Sequence, residues 1–448
     1  MYKKVHFIGI GGISMSALAK ILISNGTKVS GSDITPTPIT RELEKLGAKI
    51  TIPHSAECIE DPDIVVYTSA IKDDNPEMCA AREKGIRLVE RADMVGNIMR
   101  SYAFPVSVAG THGKTTSTSM MAYTMTEANL DPTVMVGGEL DILGGNLRIG
   151  KSDYMVTESC EYCRNFLKFA PFIGVILNIE ADHLDYYKDL DDVIDAFSSF
   201  AALIPEGGTL IINGDDENAV RASKSAHCPV VTVGIKGGDF IAKNITYDDF
   251  GYPSFDVMKK GEKIMSLKMG VPGEHNIYNA LCIIAATMTL TDDTDAIKRG
   301  LEKFHGTKRR FEKKGEAGGV LVIDDYAHHP TEIRATLSAV DKIRAGKVWC
   351  VFQPHTYTRT KALFDEFAQA LSAAENLVVT DIYAAREKDT GLVSSAELAE
   401  SIGNAVYIKE FSDVTEYFKS NVSKGDIILT MGAGDVFKIG EMFLENNR

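Results

Sequence analysis

The chain has 448 residues, of which 44% are hydrophobic, 25% charged and 8% aromatic, and its formal net charge is −14. This length suits two or three domains, and the composition is that of a folded globular protein. An acidic chain lacks the basic face that binding to a phosphate backbone needs, so the composition argues against nucleic acid as a partner.

The sequence predicts neither a secretory signal nor membrane insertion. The apolar run after the two N-terminal lysines is short and breaks into glycines, with no small-residue cleavage site behind it. No stretch approaches the length of a membrane span. The seven cysteines are scattered and odd in number, which favours reduced thiols. We therefore expect a cytoplasmic protein.

Three segments of the chain share one design, an apolar strand that runs into a glycine-rich loop. They are Val5–Gly12, Val106–Lys114 and Ile427–Asp435. Between them, short apolar stretches alternate with amphipathic helical patterns, which is typical of parallel α/β sheets. The predicted fold class is α/β with three domains.

The N-terminal region predicts a small doubly wound domain. Its expected elements are strand Val5–Ile10, a helix from about Ser14 to Asn25, strand Lys28–Ser32, helix Pro38–Leu46 and strand Ile64–Tyr67. Pro105 ends the preceding helix and a new strand follows. We therefore place the first domain over residues 1–103.

The central region, residues 104–308, is the longest predicted domain. Strands are expected at Tyr154–Thr157, Ile173–Leu177, Thr209–Asn213 and Val230–Val233, antiparallel hairpins over Asp239–Leu267, and a closing helix at Asn276–Leu290. The basic tract Gly306–Gly319 is interpreted as a hinge or linker. A third α/β domain, residues 309–448, then has strands predicted at Val320–Asp324, Val348–Phe352, Leu377–Thr380, Val406–Ile408 and Ile427–Thr430.

A phosphate-binding loop is the strongest functional signal. It follows a predicted strand, opens a helix and consists of Gly110, Thr111, His112, Gly113, Lys114, Thr115 and Thr116. Glycines let backbone N–H groups wrap an anion at a helix N-terminus, Lys114 can reach β- and γ-phosphate oxygens, and the Thr115 hydroxyl can bind Mg²⁺. Val108 stands where the usual eight-residue pattern has its first glycine. The loop indicates a nucleotide but does not specify the reaction.

A second glycine loop, Gly9–Ser14, resembles the dinucleotide fingerprint, with Asp33 at the end of the next strand as a ribose candidate. Ser14 replaces the third glycine of that pattern. An NAD-linked oxidoreductase is the natural rival interpretation, but it leaves the lysine-bearing loop without a task. Two phosphate loops in separate domains predict two different phosphorylated ligands.

Several acidic and histidine residues follow predicted strand ends. Glu158 and Glu161 come just after one strand, and His183 just after another. Because Mg²⁺ keeps waters and phosphate oxygens, a threonine, a glutamate and a histidine would be enough protein ligands. Taken singly, each of these residues is more often a solvated surface group.

Three further segments carry candidates of the same kind. Asn276 either caps a helix or contacts a ligand. Arg309 and Arg310 are either surface charges or groups that meet the γ-phosphate when a hinge closes. The segment DDYAHHP, residues 324–330, lies at the carboxyl end of a strand, where ligand sites of α/β sheets usually form, although a stabilised loop is an equal alternative.

Together these motifs resemble the Mur ligase family over essentially the whole chain. In chain order they are HFIGIGGISMSALA, YTSAI, GTHGKTT, ESCEYCRNFL, NIEADHLDYY, GEHNIYNAL, GTKRRFE, DDYAHHPTEI, FQPHTYTRT and MGAGDV. The resemblance implies a Rossmann-like N-terminal domain for a UDP-sugar, a central P-loop ATPase-type domain for ATP, and a Rossmann-like C-terminal domain for an amino acid.

The resemblance also implies roles for individual residues. Gly110–Thr116 would hold the ATP phosphates, and Thr115, Glu161 and His183 would surround Mg²⁺. The remaining nucleotide contacts would be His275, Asn276 and Asn279 near adenine, Arg310 at a phosphate and Asp325 at the ribose. The UDP-sugar would be bound by Gly11, Gly12, Ile13, Ser14, Asp33 and Ser69, and the amino acid by Tyr326, His328 and Arg359.

Two departures from the family pattern bear on these roles. Ser14 stands where the family usually has glycine, which bears on the tightness of the first loop. Thr356 replaces the first arginine of the QPHRYTRT-like stretch, so only Arg359 is retained as a candidate there. Asp195–Phe200 offers no lysine of the kind that other branches carbamylate, which fits the alanine-adding branch.

The implied reaction is the ATP- and Mg²⁺-dependent addition of L-alanine to UDP-N-acetylmuramate through an acyl phosphate, in peptidoglycan precursor synthesis. Lys114, Glu161, His183, Arg310 and His328 are the expected catalytic residues, and the protein is expected to be a monomer or weak homodimer. A muropeptide-recycling ligase of the same family, an NAD-linked dehydrogenase and a non-catalytic nucleotide sensor remain alternatives.

Overall fold

The structure is a computed structural model that describes residues 2–68, 70–140, 142, 144–184, 186–248, 250–343, 346–385 and 387–447, the side chain of Glu139 excepted. Every helix among these residues is too short or too polar to cross a lipid bilayer. The chain divides into two compact units. The first consists of Met1–Ile179, Ile194–Ile212 and Asp216–Val231, and the second of Glu180–Val193, Asn213–Asp215 and Thr232–Arg448.

The first unit begins with a parallel sheet of strand order β3-β2-β1-β4-β5. Its elements are β1 Lys4–Ile8, α1 Ile13–Ser24, β2 Lys28–Ser32, α2 Pro38–Lys45, β3 Lys49–Thr51, β4 Ile64–Tyr67, α3 Pro76–Glu83, β5 Arg87–Glu90 and α4 Arg91–Met99. Apolar residues of β1 pack against α1 and α4, with Val5, Phe7, Leu18 and Val95 all buried. Burial of strands on both faces explains why they read as short apolar runs.

A second sheet of this unit has the strand order β11-β10-β6-β9-β7-β8 and is parallel except for the last pair. Its elements are β6 Phe104–Ala109, α5 Lys114–Glu127, β7 Thr133–Leu140, β8 Gly145–Arg148, β9 Tyr154–Ser159, β10 Ile173–Ile176, α6 Leu190–Ala202, β11 Thr209–Asn213 and α7 Glu217–Ser223. The loop between β6 and α5 is the predicted phosphate loop. It lies at the carboxyl edge of the sheet, where α/β ligand sites form.

The second unit contains two antiparallel hairpins and then another sheet, which is parallel except for its first pair of strands. The hairpin region and the helices behind it are β12 Val230–Gly234, β13 Phe240–Tyr247, β14 Pro253–Lys259, β15 Glu262–Lys268, α8 His275–Thr287 and α9 Thr294–Lys303. Strands β13, β14 and β15 pair antiparallel in sequence, which confirms the hairpins predicted over Asp239–Leu267.

The C-terminal sheet has the strand order β16-β17-β21-β18-β19-β20. Its elements are β16 Glu312–Ala317, β17 Val320–Asp325, α10 Pro330–Val340, β18 Val348–Phe352, α11 Tyr357–Ala362, α12 Phe364–Leu371, β19 Asn376–Val379, α13 Ser395–Ile402, β20 Ala405–Tyr407, α14 Phe411–Asn421, β21 Ile427–Met431 and α15 Phe437–Asn446. Ile323 packs with Phe367 on one face, while its neighbour Val322 packs with Phe418 on the other. Alternate side chains of a strand thus enter two cores, as a doubly wound sheet requires.

The structure corrects the predicted linker Gly306–Gly319. Residues Glu312–Ala317 of that tract form strand β16, which pairs antiparallel with β17. Its sequence EKKGEA carries the charges that protect an edge strand, and such a strand lacks the apolar pattern by which strands are recognised. The first strand is also shorter than predicted and ends at Ile8, because the chain turns at Gly9 with φ +79°.

Helix α4 packs so closely on its neighbour that one position requires glycine. A Cβ at Gly96 would lie 2.0 Å from the Lys168 carbonyl oxygen, in the 3-10 turn Tyr162–Lys168. The Lys168 ammonium pairs with Glu90 and, at 3.3 Å, with Asp93. Backbone contact and ion pairs therefore fix the start of α4 to this turn.

We expect Gly96→Ala to lower the free energy of unfolding by about 1–3 kcal/mol, because overpacking outweighs the better helix propensity of alanine. Thermal denaturation followed by circular dichroism measures the effect. Gly207→Ala is the matched control, since a Cβ there meets nothing within 4 Å. Equal stability of the two variants would contradict the packing argument.

Candidate active site

Glycine and an asparagine give the phosphate loop its shape. Gly113 has φ +82°, and Gly110 has φ +148° with the Leu177 Cβ 2.9 Å from where its own Cβ would be. The His112 N–H donates to the Asn178 side-chain oxygen (2.8 Å), and the Asn178 amide donates back to the His112 carbonyl (3.1 Å). Sequence reasoning did not single out Asn178, although it opens the quoted NIEADH motif.

Lys114 turns its ammonium into the loop. Its Nζ donates to the carbonyl oxygens of Gly110 (2.6 Å) and Thr111 (3.0 Å) and to Glu161 Oε2 (2.9 Å). Burial opposes the positive charge, but the carboxylate of Glu161 raises the pKa of Lys114 above its ordinary value. The loop therefore holds a fixed cation at the place where an anionic ligand would bind.

Two of the metal-ligand candidates are in direct contact. The Thr115 hydroxyl donates to Glu158 Oε2 at 3.0 Å, and the Gly137 N–H donates to the other oxygen of Glu158 at 2.6 Å. Glu161, which the sequence placed at the metal, accepts a hydrogen bond from Lys114, and its role at a metal stays a prediction. Glu158 is thus the carboxylate in contact with Thr115. His183 belongs to the second unit and has φ +55°, uncommon for a residue with a side chain.

The first glycine loop is held by the end of strand β2. The Ser32 carbonyl accepts the N–H groups of Gly9 and Ile10, both at 2.9 Å, and Asp33 Oδ2 accepts the Gly11 N–H at 2.7 Å. In this structure Asp33 holds the loop backbone, and its predicted role at a ribose stays a prediction.

An arginine that the sequence analysis did not single out contacts the start of helix α1. The Arg91 guanidinium donates to the Ser14 hydroxyl at 3.2 Å. Gly12 precedes this helix and Ile13 begins it, so Arg91 bonds a side chain of the first helical turn. Ser69, the remaining UDP-sugar candidate, lies outside the described residues.

In the second unit, the buried carboxylate of Asp325 hydrogen-bonds both the tract Gly306–Gly319, first interpreted as a linker, and the loop after β17. It accepts the N–H groups of Phe311 (2.6 Å) and Ala327 (2.8 Å). Burial raises the pKa of Asp325 to about 6, with the Arg310 charge opposing this rise. The Arg310 guanidinium lies 4.9 Å from the Tyr326 ring centroid and 3.7 Å from Glu332. Arg310, Asp325 and Tyr326 therefore lie close together, and their predicted ligand contacts stay predictions.

His328 stands in a row of rings. Its ring centroid is 5.3 Å from that of Tyr326 and 5.8 Å from that of His355, which in turn stacks on Tyr383 at 5.6 Å. The Nδ1 of His328 lies 3.0 Å from the Tyr326 carbonyl oxygen, and only an N–H can bond a carbonyl. In the neutral ring Nε2 is then the acceptor. Sequence reasoning quoted His355 within its motif but assigned it no role.

Arg359 meets an acidic residue of the NIEADH motif within the same unit. Its Nη2 lies 3.7 Å from Asp182 Oδ1. Burial opposes the charge of Asp182, but the neighbouring His183 and Arg359 keep its pKa below the ordinary value. The structure thus connects the segment that contains His183 to the candidate amino-acid site.

The proposed adenine contacts lie at the start of α8. The buried Asn276 side chain donates to the Pro272 carbonyl (2.7 Å) and accepts from the Asn279 amide (3.0 Å). Glu274 is the N-cap residue, so the alternative in which Asn276 caps this helix is wrong. His275 begins the helix, and a Cβ at Gly273 would lie 2.6 Å from its ring.

His328 gives a prediction for pH dependence. Burial lowers its pKa from the ordinary 6.5 to about 4, so the neutral ring contributes stability above pH 6.5 that is lost as the pH falls toward 4. An NMR titration of the ring protons should give a midpoint near pH 4, with His328→Gln identifying the signal. The variant should also lose less stability than the wild type over this range. A midpoint above pH 6 would contradict the burial argument.

The family follows from three matches that together span most of the sequence. Residues 4–103 match the model described as Mur ligase family, catalytic domain, residues 108–287 the Mur ligase middle domain, and residues 309–434 the Mur ligase, glutamate ligase domain. The chain belongs to the Mur ligase family, and the resemblance drawn from its motifs is confirmed.

Two relatives within this family are similar to the chain over almost its whole length. The chain is 53% identical over 446 residues to the UDP-N-acetylmuramate–L-alanine ligase of Clostridium acetobutylicum, covering 99% of this chain and 97% of the relative. The protein of that name from Clostridium botulinum strain Langeland is 52% identical with the same coverage.

Solved structures agree with these relatives. The UDP-N-acetylmuramate–alanine ligase of Thermotoga maritima has a TM-score of 0.80 and 32% identity, covering 100% of this chain and 99% of that chain. A murein peptide ligase from Psychrobacter arcticus has a TM-score of 0.71 and 26% identity, covering 99% and 98%. The three-domain α/β fold class is thereby confirmed.

Proposed function

We propose that this chain is an ATP-dependent ligase that joins L-alanine to UDP-N-acetylmuramate, giving UDP-N-acetylmuramoyl-L-alanine, ADP and phosphate for peptidoglycan synthesis. The observation that carries the proposal is the phosphate loop with the ammonium of Lys114 inside it, in a chain that matches ligases of this name over 99% of its length. An NAD-linked dehydrogenase would have no use for this loop.

The reaction takes place in two steps. A carboxylate oxygen of UDP-N-acetylmuramate attacks the γ-phosphorus of ATP and ADP leaves, so that an acyl phosphate forms. The L-alanine amine then attacks the acyl carbon, and phosphate departs from the tetrahedral intermediate. Phosphoryl transfer of this kind asks the protein mainly for alignment and neutralisation of charge. We assign these tasks to Lys114 and Arg310.

Thr115 of the loop and Glu158 of β9 fit a magnesium ion, which would neutralise the phosphate oxygens. A hydroxyl and a carboxylate oxygen, both hard ligands, already lie 3.0 Å apart at Thr115 and Glu158. We propose that Thr115 and Glu158 hold the ion, with Glu161 and His183 as the further candidates from the sequence.

His328 is our candidate for the group that accepts a hydrogen bond from the alanine amine and orients it for attack. The attacking amine must be neutral, and the Nε2 of the neutral His328 ring is left as an acceptor when Nδ1 bonds the Tyr326 carbonyl. Tyr326 and Arg359 would bind the amino acid beside it. Arg359 can hold the alanine carboxylate, since a guanidinium matches that geometry.

The remaining assignments complete the proposal. The first glycine loop would bind the UDP-sugar, and Asn276 and Asn279 would lie near adenine. The domains would run over 1–103, 104–308 and 309–448. We also propose a cytoplasmic location, in which the protein acts as a monomer or weak homodimer.

Phosphate release tests the proposal. With ATP and Mg²⁺, we expect release that needs both UDP-N-acetylmuramate and L-alanine. Lys114→Ala should reduce the rate by at least about a hundredfold, since it removes the fixed charge at the transferred phosphate. Lys188→Ala is the control, because Lys188 is a largely exposed lysine.

Two other outcomes would contradict the proposal. Release that needs a short peptide in place of alanine would make the chain a muropeptide-recycling ligase. ATP binding without release under any of these conditions would favour a nucleotide sensor.

A further inference from the structure

A fully buried carboxylate lies behind the first glycine loop. Glu77, in the first turn of α3, accepts hydrogen bonds from His6 Nε2 (2.6 Å), the Ser32 hydroxyl (2.9 Å) and His54 Nδ1 (3.0 Å). Glu77 and Ser32 are 0% exposed and His6 is 1% exposed. A buried charge is tolerated only when it is paired and hydrogen-bonded, and these donors meet that condition. We call Glu77, His6, His54 and Ser32 the Glu77 network.

The protonation state of the Glu77 network follows from its geometry. Each imidazole nitrogen that faces the carboxylate must donate, so His6 carries a proton on Nε2 and His54 carries one on Nδ1. Burial alone would raise the pKa of Glu77, but these hydrogen bonds hold it below its ordinary value. Glu77 is therefore a carboxylate at neutral pH.

Ser32 connects the Glu77 network to the loop backbone. Its hydroxyl bonds Glu77, while its carbonyl accepts the N–H groups of Gly9 and Ile10 at 2.9 Å each. The next residue, Asp33, accepts the Gly11 N–H at 2.7 Å. Two residues at the end of β2 thus accept three successive N–H groups of the loop. Ser32, one of these two residues, is itself hydrogen-bonded within the Glu77 network.

We infer that Glu77 and Ser32 are positioning residues for the UDP-sugar, because they set the conformation of the glycine loop that leads into helix α1. This inference rests on the proposed function, in which that loop binds the UDP-sugar. Neither residue would touch the substrate. If these residues had only a structural role, their substitution would lower stability without a selective effect on one substrate. If they position the loop, their substitution raises the KM for UDP-N-acetylmuramate alone.

The test is steady-state kinetics of full-length Ser32→Ala and Glu77→Gln. Ser32→Ala removes the link but keeps the carbonyl, and Glu77→Gln keeps the shape but loses the charge. We expect the KM for UDP-N-acetylmuramate to rise by about tenfold, as for loss of one hydrogen bond to a charged group, while kcat and the KM values for ATP and L-alanine stay within about twofold.

Asp426→Asn is the matched control. Asp426 is a largely buried carboxylate of the second unit that accepts from the Trp349 indole (3.0 Å) and the Lys347 N–H (2.8 Å). The Asp426→Asn substitution should lower the unfolding temperature without raising the KM for UDP-N-acetylmuramate. Ser32→Ala is the milder change, so the kinetics of this variant still test the inference if Glu77→Gln does not fold.

Three results would overturn the inference. One is an unchanged KM for UDP-N-acetylmuramate in a folded Ser32→Ala variant. Another is a KM that rises equally for all three substrates, since that shows general loss of structure. If the wild type itself shows no phosphate release that depends on UDP-N-acetylmuramate, the proposed function fails and the inference fails with it.

Discussion

The buried contact between Lys114 and Glu161 is the constraint around which the phosphate loop is arranged. An ammonium enclosed by a glycine-rich loop loses much of its hydration and needs a counter-charge. Glu161 supplies that charge in the structure, and the carbonyls of Gly110 and Thr111 accept further hydrogen bonds from the ammonium. In the proposed function, a nucleotide's phosphates would take the place of Glu161 as the anionic partner of Lys114. The loop therefore keeps its cation in place and needs little rearrangement to bind an anion.

Carboxylates that bind backbone N–H groups shape the other candidate loops. Asp33 holds Gly11 in the first glycine loop, and Asp325 holds Phe311 and Ala327 in the second unit. From sequence, both aspartates were expected to contact a ribose. In the structure both aspartates stabilise a loop by accepting backbone N–H groups. A carboxylate can accept several hydrogen bonds at once, so this does not exclude a ribose contact. One residue can serve both roles only through the lone pairs that the backbone leaves free.

Much of the fold could be predicted because its strands are buried on both faces. All five residues of Ile427–Met431 are buried, and such runs stand out in a sequence. Strand β16 was missed because an edge strand needs no apolar run. The glycine loops were visible from their spacing, since backbone dihedrals near +80° at Gly9 and Gly113 require that residue.

Contacts between distant residues could not be predicted in the same way. Thr115 and Glu158 are 43 positions apart, so nothing local indicates that Glu158, rather than Glu161, contacts the threonine. His6 and Glu77 are 71 positions apart, and no motif with a known spacing contains both residues. Such pairs depend on the sheet order that brings their strands and helices together, which hydrophobic patterns alone do not specify.

The central claim is that the carboxylate of UDP-N-acetylmuramate is activated by phosphoryl transfer. The most direct measurement uses UDP-N-acetylmuramate whose lactyl carboxylate is labelled with ¹⁸O, followed by mass spectrometry of the phosphate released with ATP and L-alanine. An acyl phosphate leaves its bridging oxygen on phosphorus, so the account predicts one ¹⁸O atom in each phosphate formed. Unlabelled phosphate, with an equal yield of the alanine adduct, would contradict it.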